Sequence, residues 1–178
     1  MRPHWGTTRL TLTLGILAAG GAMGAGFRYA PAESVAIKIA GSAELSYTKH
    51  ETLDVPDAPG HQLLLSQTTG TDKNTGQTDY FADASAVNVE LADLVQGNGP
   101  HQGYYTMGKG ADTAVAKWHG TVTTTMSPDK QPMTSFSGTW RYVHGAGQYA
   151  NLKGSGTYKG HFLAQDRYVV TWEGTYSK

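Results

Sequence analysis

Aromatic side chains that recur at fixed spacing are the residues best placed to do chemistry in this chain. The segment Lys-Trp-His-Gly-Thr at 117–121 returns as Thr-Trp-Glu-Gly-Thr at 171–175, and Ser-Gly-Thr-Trp at 137–140 returns as Ser-Gly-Thr-Tyr at 155–158. Large aromatic rings can line an apolar pocket and offer an indole N–H or a hydroxyl that orients a ligand. The same rings can also fill a core completely, and the spacing does not separate these alternatives. We expect six of them to contact a small apolar or amphipathic molecule: Tyr47, Trp118, Trp140, Tyr142, Trp172 and Tyr176.

A carboxylate and an imidazole occupy equivalent places in two of the repeated segments. Glu173 and His119 each follow a tryptophan, and on adjacent strands they would meet as a general acid and base. Both lie on the phase opposite to the tryptophans, which favours two solvated side chains. Ser137 and Ser155 lie within repeated strand segments, and no Gly-x-Ser-x-Gly elbow is present. No catalytic residue is therefore assigned.

The histidines do not show the spacing of metal ligands, and the chain has no cysteine. His50, Asp54, Asp57 and His61 fall within one predicted loop and could hold a divalent cation, although turn capping is the favoured interpretation. No phosphate-binding loop or dinucleotide fingerprint is present. We therefore predict no metal site and no cofactor.

The N-terminal segment has the organisation of a secretory signal peptide. Two arginines precede an apolar run over residues 10–22, and an Ala-Pro-Ala pattern follows at 30–32. The run is too short to span a bilayer as a helix, which needs about 20 apolar residues. We predict a signal peptide over residues 1–32, cleaved after Ala25 or Ala32, and no stable membrane insertion after cleavage. The mature protein would be periplasmic or secreted; an uncleaved N-terminal anchor is the alternative.

The remaining residues, 33–178, are predicted to form a single domain. They carry 11 basic and 14 acidic side chains, a formal charge of −3. This balance lacks the basic patch that nucleic-acid binding requires, so no nucleic-acid partner is expected. Without cysteine, packing alone must stabilise an exported chain of this length, which is long enough for one self-sufficient core.

Alternating apolar and polar residues predict strands along this domain. The alternation is strict over Val35–Thr48, where Gly41 is expected to mark a bend or bulge, and residues 49–60 are predicted to form a loop. A short strand is predicted at 61–68 and a mobile turn at 69–76.

Further strands complete an all-β pattern. A partly ordered strand is predicted around Tyr80-Phe81, and Ala86–Leu94 alternates with its valines on one face. From residue 113 onward the apolar positions are even-numbered, including Trp118, Trp140 and Trp172. About eight strands separated by turns every 8–15 residues are typical of an antiparallel barrel or sandwich.

Residues 138–160 (GTWRYVHGAGQYANLKGSGTYKG) resemble the allene oxide cyclase-like and dirigent-like β-barrel family, with exported bacterial members, and the resemblance covers about residues 95–178. It implies a calycin-like, eight-stranded antiparallel β-barrel with an apolar interior and association as a homo-oligomer, a trimer. The enzymes of this family use polar residues inside the barrel to bind or cyclise an unsaturated fatty-acid-derived or phenolic intermediate. Those polar positions have no one-to-one match here.

Three functions follow from these observations. The first is an exported barrel that binds a small apolar ligand in an aromatic-lined interior. The second is a cofactor-independent cyclase or isomerase of an unsaturated lipid-like or phenolic substrate, which requires a polar group on the inward phase; Tyr47 and Tyr176 are the inward titratable candidates. The third is a structural or interaction module with a filled barrel. A void of a few hundred Å³ that opens at one end separates the first function from the third.

Overall fold

Eight antiparallel strands make up most of the chain in the computed structural model, which describes residues 35–76 and 78–178. The predicted signal peptide lies outside the described residues. Within them, no helix reaches the length and hydropathy that crossing a bilayer requires. A short 3₁₀ helix, Gly147–Tyr149, lies between the sixth and seventh strands. The strands are β1 Ile37–Asp54, β2 His61–Asn74, β3 Ser85–Val95, β4 Gly99–Lys109, β5 Asp112–Met126, β6 Pro132–Ala146, β7 Lys153–Ala164 and β8 Arg167–Ser177.

Each strand pairs with the next, and β8 returns to pair with β1, so the sheet closes into a barrel. The closing ladder runs from the pair Ile37–Tyr176 to the pair Ser46–Arg167. Closure leaves no edge strand exposed along the sheet. The predicted all-β, eight-stranded antiparallel barrel is confirmed, and the alternative of two packed sheets is excluded.

Inward-facing glycines lie opposite inward-facing aromatic rings, which explains the repeated sequence segments. Trp140 pairs with Gly156, and Tyr158 pairs with Gly138. A Cβ at Gly156 would lie 2.6 Å from the Trp140 indole, and one at Gly41 would overlap the Trp172 ring. The glycine makes room for the ring, and the ring covers the glycine. The two Gly-Thr-aromatic segments of β6 and β7 therefore pair reciprocally, with the glycine of each opposite the ring of the other.

Two predicted boundaries were wrong because cross-strand pairing outweighs local turn propensity. β1 continues to Asp54 through a segment predicted as loop, and β2 continues to Asn74 through a segment predicted as turn. The two strands pair over nearly their whole length. The irregularity in β1 falls between Tyr47 and Lys49, whereas Gly41, predicted to mark it, accommodates Trp172.

One end of the barrel is closed by an aromatic plug, the residues Tyr80, Phe81, Tyr149, Leu152 and Tyr176, all of which are buried. The segment around Tyr80 and Phe81 was predicted as a strand but forms a turn. The Asn74 side-chain amide donates hydrogen bonds to the carbonyls of Thr78 (2.6 Å) and Tyr80 (2.7 Å), which holds this turn against the barrel. The connections β1–β2, β3–β4, β5–β6 and β7–β8 all lie at the opposite end.

Candidate ligand-binding cavity

The barrel interior contains a cavity of about 840 Å³ that opens at the end opposite to the aromatic plug. Pro132, Met133 and Leu163, near the β5–β6 and β7–β8 connections, line its mouth and are exposed. Ligand pockets typically measure about 300–1,000 Å³. The interior is thus not filled by side chains, contrary to the third expectation from the sequence.

Five of the six aromatic residues expected at a ligand site line this cavity. Tyr176 does not, because it packs in the plug with its ring centroid 4.8 Å from that of Tyr80. The five that line the cavity are Tyr47, Trp118, Trp140, Tyr142 and Trp172.

The indole N–H groups of the three cavity tryptophans are already bonded within the protein. Trp118 donates to the side-chain oxygen of Asn88 at 2.9 Å, and Trp140 donates to the carbonyl of Thr157 at 3.1 Å. Trp172 donates to a carboxylate described below. These rings therefore present apolar faces to the cavity, and the expected role of their N–H groups in orienting a ligand is not available.

A carboxylate, an imidazole and a phenol form a hydrogen-bonded chain in the cavity wall. His101 Nδ1 lies 2.8 Å from Glu90 Oε1, and His101 Nε2 lies 3.0 Å from the Tyr158 hydroxyl. The side chain of His101 is 3 % exposed and that of Glu90 is 16 % exposed. The Trp118 ring packs edge-on against the imidazole with centroids 4.8 Å apart. Because rings and partners hold it on several sides, the imidazole has one fixed orientation.

A second group of hydrogen-bonded side chains, centred on Asn88 and Tyr168, connects strands across the barrel. The Asn88 amide donates to the Tyr168 hydroxyl at 3.1 Å, and the Thr68 hydroxyl lies 2.9 Å from the same oxygen. Burial raises the pKa of Tyr168 to about 12. Since Asn88 also accepts from Trp118, this group links β2, β3, β5 and β8. Every member has a partner, so the group positions its rings rigidly.

A buried carboxyl group lies between the cavity and the aromatic plug. Asp72 is 1 % exposed, and its Oδ1 accepts from the Tyr105 hydroxyl at 3.0 Å and from the Trp172 indole at 3.3 Å. Its Oδ2 has no hydrogen-bond partner. Burial raises the pKa of Asp72 to about 7, and the two donated bonds lower it only in part. The adjacent tyrosines of plug and cavity, Tyr80 and Tyr142, are bonded to each other through their hydroxyls.

The fold does not bring together His119 and Glu173, the pair considered from the repeated segments as a general acid and base. His119 and Glu173 are both exposed on the outer face of the barrel. They lie on β5 and β8, which β6 and β7 separate. A joint role as acid and base is therefore excluded by position.

The four residues considered for a metal ion do not converge. His61 lies between the carboxylates of Asp57 and Asp93, with Nε2 2.6 Å from Asp93, and these hydrogen bonds raise its pKa. His50 stacks on Tyr47, and Asp54 accepts from Gln62. Among residues 35–76 and 78–178, no group of three or more His, Asp or Glu side chains is arranged to hold a metal ion.

Sequence reasoning missed the polar residues inside the barrel because it took the apolar phase of each strand as the inward one. Val89 and Leu91 of β3 point outward, whereas Asn88 and Glu90 point inward. Asp72 lay in a segment predicted as turn.

No protein-family model matches the sequence, and no curated protein matches it. Among solved structures, the chain is similar to a pterocarpan synthase dirigent protein, at 11 % sequence identity and a TM-score of 0.41. The similar region covers 82 % of this chain and 88 % of that one. At this level the likeness concerns fold alone, so function is argued from the residues of this chain.

Proposed function

We propose that the protein binds a small apolar or amphipathic molecule inside its barrel. The observation that carries the proposal is the open cavity of about 840 Å³ with ten aromatic side chains in its wall. An eight-stranded barrel has just enough room to be filled by side chains or to hold one small ligand. Here large rings on some strands face small residues on others, so a ligand-sized space remains.

The cavity has two chemically different sides, which favours an amphipathic ligand. Strands β2–β4 contribute a polar side with Ser66, Asn88, Glu90 and His101, whereas β5–β8 contribute an aromatic side. A ligand that buries about 300 Å² of apolar surface would gain roughly 7 kcal/mol before the costs of association. The aromatic side includes Trp118, Phe136, Trp140, Tyr158, Phe162, Tyr168 and Trp172.

Tryptophan fluorescence tests the proposal, because Trp118, Trp140 and Trp172 line the cavity. The probes are oleic acid, 2-naphthol and 8-anilinonaphthalene-1-sulfonate. Leu64 and Leu63 are neighbours on β2: Leu64 lines the cavity near its mouth, and Leu63 is exposed on the outer face. We expect Leu64→Trp to weaken binding at least about tenfold and Leu63→Trp to leave it unchanged. Absence of binding by every probe, or equal effects of the two variants, would overturn the proposal.

A cofactor-independent cyclase or isomerase of an unsaturated lipid-like or phenolic substrate is the second candidate. The specific observation in its favour is the set of titratable side chains inside the barrel, Glu90, His101 and Asp72. Such chemistry needs a positioned acid or base and a site that excludes water. Conversion of a bound probe by the wild-type protein, but not by variants of these residues, would support it.

Export belongs to the same proposal and is supported by the arginines and the apolar run at the N-terminus. Expression of the full chain in a bacterium, followed by mass analysis of the extracytoplasmic fraction, tests it. The expected product begins after Ala25 or Ala32. Full-length protein confined to the cytoplasm would contradict export.

A homo-oligomer, a trimer, is also proposed, and an apolar strip on the outer face of the barrel supports it. Leu53 pairs with Leu63, and Leu65 pairs with Leu91, across β1, β2 and β3. All four are exposed, from 37 % for Leu63 to 69 % for Leu53. Contiguous exposed apolar side chains mark association surfaces.

Sedimentation velocity tests this assembly. We expect a trimer for the wild type and a monomer for Leu65→Lys. The control is Thr139→Lys, an exposed outward position on β6, away from the strip. A monomeric wild type would contradict the proposed assembly without affecting the cavity.

A further inference from the structure

We propose that Glu90, His101 and Tyr158 form a proton relay in the cavity wall, and that the barrel uses it to shift a proton within an apolar carbonyl compound. All three side chains line the cavity. The inference rests on the proposed binding function: it names the class of molecule bound and what happens to it. No metal or cofactor enters the step.

The hydrogen bonds define the direction of the relay. An ionised carboxylate only accepts hydrogen bonds, so His101 Nδ1 carries the proton and donates a hydrogen bond to Glu90 over a distance of 2.8 Å. His101 Nε2 then has a free lone pair and accepts from the Tyr158 hydroxyl at 3.0 Å. The imidazole is thereby held as the tautomer whose basic nitrogen faces the phenol. Glu90 is a positioning residue in this arrangement.

Tyr158 connects the imidazole to the ligand space. Burial raises its pKa, so the resting side chain is the neutral phenol. Its oxygen lies over Gly120 and Gly138, whose missing side chains leave room for it. A proton that reaches this oxygen from a ligand can be accepted while the phenol passes its own proton to His101. The resulting imidazolium lies beside the Glu90 carboxylate, so the new positive charge is compensated within the wall.

The apolar cavity restricts which reaction the relay can serve. A product that kept a net charge would be poorly solvated between aromatic rings. The proton must therefore return to the ligand, which begins and ends neutral. A carbonyl compound with an acidic C–H meets this condition: the C–H bond breaks, its electron pair delocalises onto the carbonyl oxygen as an enolate, and a new C–H bond forms at the same or a conjugated carbon. The step needs no oxidant, reductant or second substrate.

The test follows exchange of the acidic protons of 2-tetralone for deuterium in D₂O, by NMR. This bicyclic ketone is apolar, and its acidic C–H bonds lie between the ring and the carbonyl. We expect the wild-type protein to accelerate exchange saturably, and His101→Gln and Tyr158→Phe to lose at least about 100-fold of that acceleration. Glu90→Gln should shift the pH dependence of the exchange rate, because the carboxylate no longer balances the imidazolium.

Two outward-facing residues provide matched controls: His119→Gln and Tyr104→Phe should retain wild-type exchange, since both side chains are exposed on the barrel exterior. Quenching of tryptophan fluorescence by 2-tetralone shows whether each variant still folds and binds. Binding without accelerated exchange would overturn the relay and leave the binding function intact. Acceleration that survives His101→Gln would also overturn it. If neither 2-tetralone nor the earlier probes bind, the binding function itself fails.

Discussion

Replacement of Asp72 by asparagine tests whether the buried carboxyl group is maintained at the expense of stability. Asp72 is 1 % exposed, and burial raises its pKa from 3.8 to about 7. A raised pKa means that folding favours the protonated acid. This contribution to stability is fully present below pH 3.8 and is lost progressively as the pH rises through 7. The isosteric asparagine does not titrate, so it removes this pH dependence.

The magnitude follows from the pKa difference. Each unit of pKa difference corresponds to about 1.4 kcal/mol, so ionisation of Asp72 costs about 4 kcal/mol above pH 7 relative to acidic solution. Asparagine keeps the oxygen that accepts from Tyr105 and Trp172 but places an unpaired N–H₂ where Oδ2 was. That unpaired donor costs about 1–3 kcal/mol. Asp72→Asn should therefore stabilise the protein at pH 8 by about 1–3 kcal/mol.

Urea denaturation followed by tryptophan fluorescence measures both quantities. The decisive value is the difference in unfolding free energy between variant and wild type at pH 5 and at pH 8. We expect the unfolding free energy of the variant, relative to that of the wild type, to rise by about 2–3 kcal/mol from pH 5 to pH 8, because the other titrating groups are common to both proteins. If this difference is the same at pH 5 and at pH 8, the argument that Asp72 titrates while buried is refuted. It is also refuted if the difference favours the variant less at pH 8 than at pH 5.

Three further changes test the packing and the electrostatics of the barrel. Gly156→Val places a side chain against the Trp140 indole, so we expect the free energy of unfolding measured in urea to fall by about 2–4 kcal/mol. The control Thr139→Val, at an outward-facing position, should change it little. Phe81→Ala removes a buried ring from the plug, should cost about 3–5 kcal/mol, and should speed ligand release in stopped-flow fluorescence as the closed end loosens. His61 has a pKa raised by Asp57 and Asp93, so His61→Asn should remove stability that is present below pH 6.5 and absent at high pH; thermal melts at pH 6 and pH 9 that shift equally would contradict this.

The strand count and the inward phase of β5–β8 were predictable because there the apolar phase and the inward phase coincide. Trp118, Trp140 and Trp172 alternate with threonines and charged residues, and period-2 alternation with one apolar face is the signal that a half-buried strand gives. The role of the glycines in the same segments as partners of the rings could be recognised only from the strand register.

The polar side of the cavity was not predictable by the same rule. On β3 the branched residues Val89 and Leu91 face outward, whereas Asn88 and Glu90 face the cavity. Alternation shows that two faces differ but does not show which one is enclosed. Strand ends were missed for a related reason: turn-forming residues 69–74 are extended because β1 pairs with all of them and β3 pairs with 69–71.

The outer apolar strip and the inner polar side are two consequences of one sequence pattern. Because successive side chains point to opposite faces, Leu65 can face outward only if Ser66 and Leu64 face inward, and Leu91 outward places Glu90 and Ala92 inside. A shift of β3 by one residue against β2 would bury Leu91 and expel Glu90 from the cavity. The register therefore keeps apolar side chains on the surface and a carboxylate beside His101. Core burial alone would favour the opposite phase, so the observed phase fits the two roles proposed for this wall: association through its outer face and recognition of a polar ligand group at its inner face.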